Sequence, residues 1–74
     1  MKNYFDCMWV DKKGHLTSLR LFEADGEYIV YEDGIEGIKG QTFNSYEEAK
    51  NCFFDRYECL SSLVGYREKV RMSF

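Results

Sequence analysis

The side chains that could carry covalent or metal chemistry are few. There is one histidine, His15, and there are three cysteines, Cys7, Cys52 and Cys59. Zinc sites of known pattern need several Cys or His ligands in paired spacing, and no two cysteines stand at C-x-x-C spacing. Cys52 and Cys59 fall on a predicted helix, about 10 Å apart along its axis, too far for a disulfide. All three cysteines read as small buried apolar residues. The acids near Asp25 and Asp33 lack the alternating oxygen ligands and closing Glu of a calcium loop. No metal and no cofactor is expected. The stretch Gly34-Ile35-Glu36-Gly37-Ile38-Lys39-Gly40-Gln41 is rich in glycine and holds a lysine. It lacks Walker spacing and a helix N-terminus to meet a phosphate, and it reads as a bent strand after a hairpin.

Nucleophilic catalysis finds little support. His15 opens a strand beside a turn, where an exposed strand residue is the expectation rather than a general base. Thr17 shares its strand face as a β-branched residue in mid-strand. Ser45 is expected as a helix cap, and Ser61 and Ser62 sit late in the helix without a base near in sequence. General-acid work needs a desolvated carboxyl, and exposed hairpin acids are the wrong kind. No catalytic residue is assigned, and the expectation is a protein that is not an enzyme.

What remains is charge. The net charge is −3 and the pI is about 5.0. Residues 21–58 hold ten acids against Lys39, Lys50 and Arg56, while the two ends together hold seven bases and three acids. Glu23, Asp25, Glu27, Glu32, Asp33 and Glu36 follow one another with no base between Glu23 and Glu36. They fall at two predicted hairpin ends and, depending on strand order, merge into one anionic patch. Such a patch can occupy a basic protein surface, including one that normally holds nucleic acid. Tyr46 and Phe54 add rings on the helix flank. A protein partner is therefore expected. The alternative is a nucleic-acid contact through Arg67, Lys69 and Arg71, which alternate along one side of the C-terminal segment. An acidic middle argues against it. Thirteen aromatic residues in 74 are a heavy load for one small core, so self-association as a homodimer or larger assembly is a third reading.

These residues must be positioned by a single domain spanning 1–74. Residues 3–10 alternate as a strand. Asp11-Lys12-Lys13-Gly14 is a turn, and residues 15–22 form a second strand. Asp25-Gly26 turns the chain into a third strand, 27–32, and Asp33-Gly34 into a fourth, 35–43. Ser45, with Glu48 three residues on, caps a helix of about 20 residues that Gly65 ends. Ala49, Phe53, Tyr57, Leu60 and Val64 recur on one helical face. The tail, residues 66–74, alternates again as a last strand at a sheet edge. The fold class is α+β: a four-stranded antiparallel meander, one long helix packed on it, and a short C-terminal strand (ββββαβ). The expected core also takes Phe5, Cys7, Trp9, Leu19, Leu21, Ile29, Tyr31 and Ile38. No segment is apolar enough to cross a membrane and Asp6 interrupts any leader, so a cytoplasmic location is the expectation.

From Tyr28 to Glu68 the chain resembles the WGR domain, a small sheet-plus-helix module of poly(ADP-ribose) polymerases and bacterial proteins. The parallel runs through Tyr31, the stretch from Gly34 to Gln41, Phe43-Asn44-Ser45-Tyr46-Glu47-Glu48-Ala49, Phe53 and Gly65-Tyr66-Arg67-Glu68. The resemblance implies a glycine-bearing sheet, a capped helix and contact with nucleic acid. The family's signature Trp falls on Asp33 and its signature Arg on Ile35, so the DNA contact those residues carry does not transfer. In size, acidity and ring content the chain is also similar to the small inhibitors that phages and mobile elements direct at host defences.

Overall fold

The computed structural model describes residues 1–63 and 65–73, with side chains of residues 1–63 and 65–68. The elements are β1 (Lys2–Val10), β2 (Leu16–Ala24), β3 (Glu27–Gly34), β4 (Gly37–Phe43), α1 (Tyr46–Ser61) and β5 (Arg67–Ser73). They form one antiparallel sheet in the order β4-β3-β2-β1-β5 with α1 packed on one face. This is the expected ββββαβ meander.

Local chemistry sets the bends. The Asp11 carboxylate accepts the backbone N–H groups of Lys13 and His15, each at 2.9 Å, and Gly14 takes φ +85°. Asp25 and Gly26 both have positive φ, 53° and 77°, the signature of a two-residue turn whose twist matches its strands. The third bend differs from expectation. Asp33 and Gly34 belong to β3, and the turn is Ile35-Glu36. Asp33 extends the ladder by pairing with Ser18, and Gly34 passes over Thr17. A Cβ at Gly34 would lie 3.0 Å from Thr17 Oγ1, so this glycine serves a close approach rather than a turn.

The Ser45 hydroxyl accepts the Glu48 N–H at 3.4 Å and starts α1. The helix has 16 residues, shorter than expected. It ends at Ser61, and Gly65 adopts its left-handed conformation (φ +85°) in the connection to β5 instead. Val64 and Phe74, expected in the core and in the last strand, lie outside the described residues.

From Phe5 onward in β1, and along β2, odd-numbered residues face the helix, while the register shift between Asn3 and Phe5 turns Tyr4 toward it as well. Cys7, Trp9, Leu19 and Leu21 are buried there against Ala49, Phe53 and Leu60. Phe5 stacks on Phe53 (5.3 Å between centroids) and Trp9 meets Tyr57 (5.5 Å). Each pair contributes roughly 0.5–1.5 kcal/mol beyond its burial. The Trp9 Nε1–H donates to Ser61 Oγ at 3.2 Å, tying the end of the helix to β1. On β3 the parity reverses. Leu21 pairs with Val30 and Asp33 with Ile38. Val30 is therefore the buried residue, while Ile29, Tyr31 and Ile38 lie on the uncovered face, with Ile38 65% exposed. They are not core residues. Cys7 is buried as expected, Cys52 is half-buried and Cys59 is exposed.

Candidate partner-binding surface

Consecutive hairpins of a meander turn at opposite ends of the sheet. The β2–β3 end carries Glu23, Asp25 and Glu27, and the β3–β4 end carries Glu32, Asp33 and, in the turn itself, Glu36. The eight residues of β3 separate the two turns, a span of roughly 26 Å at 3.3 Å per residue. The six acids do not merge into one patch.

At the β3–β4 end one of the three is held by a tight ion pair and a second stands near a lysine. Arg56 of α1 donates from Nε and Nη2 to the two Glu32 carboxylate oxygens, at 2.8 and 3.0 Å. This two-pronged contact with Glu32 raises the guanidinium's pKa further above its ordinary value, as a charge-assisted hydrogen bond should. Lys39 Nζ stands 3.9 Å from Glu36. Asp33 is exposed and has no ion pair among the described residues.

The β2–β3 end is different. α1 begins two residues after β4, so its N-terminus starts at this end of the sheet. Tyr46, on the first turn, meets Tyr4 at 5.0 Å and Tyr28 at 6.0 Å, and Tyr4 and Tyr28 are 6.3 Å apart. The Tyr4 hydroxyl donates to Glu23 Oε1 at 2.9 Å. That bond is the main reason the Tyr4 phenol is harder to ionise than usual. Lys2 lies over the Tyr4 ring at 5.0 Å and Lys50 over the Tyr46 ring at 5.8 Å. The same end of the sheet also carries Asp25, Glu27, Glu47 and Glu48, with Glu27 on the face opposite Tyr28, and Lys2 and Lys50 supply the bases over the rings. Lys50 also approaches Glu47 at 3.8 Å. Asp25, Glu27 and Glu48 are exposed and without an ion pair among the described residues.

From sequence Glu48 reads as the partner of the Ser45 cap and both Glu47 and Glu48 as complements to the helix dipole, while Tyr4 and Tyr28 read as strand residues. One signal could have joined them. A helix that follows the fourth strand of a meander after two residues must start at the end where the second strand turns into the third. Tyr46 belongs to this acidic end. Phe54 does not: it lies two helical turns on, about 12 Å along the axis, 38% exposed and 5.2 Å from Phe5.

The basic stripe is broken by the backbone. β5 pairs Arg67 with Val10 and Glu68 with Trp9, then Val70 with Met8 and Arg71 with Cys7, with a register shift between Met8 and Trp9. Lys69 falls in that irregularity. An inserted residue shifts alternation by one, so Arg67 and Arg71 pair with β1 residues of opposite face. Arg67 is exposed; the side chains of Lys69 and Arg71 lie outside the described set.

Among the described residues, no three His, Cys, Asp or Glu side chains stand together in a way that could hold a metal ion. Among the described residues no helix is long and apolar enough to cross a membrane. No protein-family model, no curated protein and no solved structure matches the chain.

Proposed function

We propose that the protein is a non-enzymatic binding module that engages a basic protein surface through its acidic end. The observation that carries this reading is that Asp25, Glu27 and Glu48, which have no ion pair among the described residues, share one end of the sheet with the Tyr4–Tyr28–Tyr46 cluster. Carboxylates without internal partners steer a cationic surface into contact. Tyrosines held against one another lose little further freedom on binding and offer both ring area and hydroxyls, which is why they recur in interface centres. A basic surface of this kind commonly holds nucleic acid, and occupying it would exclude that ligand.

The test is a quantitative capture from cell lysate with the wild-type protein and with a Glu27→Lys/Glu47→Lys variant, at low and at high salt. The wild type retains basic proteins at low salt and loses them as salt screens the contact. The variant retains none of them. Equal retention by both proteins overturns the reading.

A further inference from the structure

The outer strands of the sheet are β4 and β5. Every residue of β4 from Gly37 to Thr42 is exposed. Gly34 pairs with Gly37 across a two-residue turn. The alternation of an antiparallel ladder then directs the N–H and C=O groups of Ile38, Gly40 and Thr42 away from β3, along a free edge. Gly40 has no positive φ, and a Cβ there would meet nothing within 4 Å. Nothing in its own chain demands glycine at this position, and a strand glycine leaves room for a close approach by another backbone.

Beside this edge, on the helix side, lies a hollow of about 130 Å³. Ile35, Leu60, Leu63 and Tyr66 line it. Thr17, only 5% exposed, lines it too. Of the charged groups at its wall, Glu32 is held by Arg56, and the exposed Glu36 and Lys39 stand 3.9 Å apart. A second depression continues the groove past Gly40 and Gln41. On the other side of the sheet, Asp33 is paired in register with Ile38 and has no ion pair among the described residues.

We propose that the β4 edge docks an extended segment of a partner protein in which aliphatic and basic residues alternate. The segment adds a sixth strand to the sheet through the free groups of Ile38, Gly40 and Thr42. Its aliphatic side chains enter the hollow, against Ile35, Leu60, Leu63 and Tyr66. Its basic side chains emerge on the opposite side, beside Asp33. A second copy of the chain is the weaker occupant. Two-fold pairing about Gly40 sets Lys39 against Gln41 and Ile38 against Thr42, which brings polar chains to the hollow and no base to Asp33.

This inference stands apart from the acidic end and is tested separately. The isotope-labelled protein is titrated by NMR with an acetylated ten-residue peptide of alternating valine and lysine, and with a peptide of the same composition arranged in two blocks. The alternating peptide shifts the amides of Ile38, Gly40 and Thr42 and binds at least tenfold more tightly than the block peptide. Gly40→Pro removes an N–H that the ladder does not use and weakens binding at least tenfold. Thr42→Pro, at the next outward position, replaces it if that variant unfolds. Glu27→Gln leaves these shifts in place. Shifts confined to residues 23–28 and 46–48, equal affinity for the two peptides, or unchanged binding by the folded proline variant overturns the proposal. Ultracentrifugation showing a dimer that Gly40→Pro dissociates assigns the edge to a second copy and overturns it as well.

Discussion

The two acidic hairpins carry three carboxylates each and differ in whether one of them is tied to the helix. Glu32 has a side chain only 15% exposed and is gripped by Arg56, while Glu36 leans on Lys39. Asp25 and Glu27 are exposed and have no ion pair among the described residues. The helix makes the difference. It begins beside the β2–β3 hairpin, where its first turn brings Glu47 and Glu48 and adds negative charge. Ten residues later, roughly 15 Å along its axis, it delivers Arg56 to the β3–β4 hairpin. A run of acids in sequence therefore becomes a structural brace at one end and free charge at the other.

Three experiments press on this contrast. The largest effect is expected at Gly34, where the braced hairpin crosses Thr17. Gly34→Ala forces a Cβ to 3.0 Å from Oγ1 and 3.2 Å from Cγ2 of a buried side chain. Overpacking of this kind costs about 1–3 kcal/mol, read as a lower urea midpoint. An unchanged midpoint would show that the hairpin moves freely over Thr17 and is no brace.

Next comes the ion pair itself. Arg56→Ala leaves the Glu32 carboxylate largely buried without its donors. Because Arg56 is 40% exposed, the loss is discounted for screening to about 1–2 kcal/mol. Glu27→Gln at the other end stays within about 0.5 kcal/mol of wild type, since no contact is lost. Equal losses in the two variants would erase the distinction between brace and free charge.

The smallest effect is a titration. The hydrogen bond to Glu23 raises the Tyr4 pKa, so folding favours the protonated phenol. The stabilisation is fully present below the ordinary tyrosine value of about 10 and is lost as pH rises through the elevated folded value. Tyrosinate absorbance should show a late-ionising tyrosine, and Glu23→Ala should lower its midpoint. A late tyrosine that persists in that variant would place its cause elsewhere.

Much of the architecture was legible from short-range signals. Gly14 and Asp25-Gly26 marked bends because only certain residues accept positive φ cheaply. Ser45 announced the helix because its hydroxyl can cap an orphan N–H. Other features were not. Tyr28-Ile29-Val30-Tyr31 is apolar on both faces, so alternation could not say that Val30, rather than Ile29 and Tyr31, points at the helix. Asp33-Gly34 looks like a turn by composition, yet the ladder with β2 runs through it. The irregularity at Lys69 left no mark, since Arg67, Lys69 and Arg71 alternate perfectly as letters. Of the candidate site, Glu23, Asp25, Glu27 and Tyr46 were found; Tyr4, Tyr28, Glu47 and Glu48 joined them only through the placement of the helix.

The sequence by itself determined the order of the elements, most of the bends and the cap that starts the helix, because caps and turns act within about four residues. Only the tertiary structure decided which face of β3 is buried, which acids meet a cation and which remain free. Those outcomes depend on contacts such as Glu32 with Arg56, 24 residues apart, and Trp9 with Ser61, 52 apart. No local pattern encodes the register and helix direction that bring such groups together.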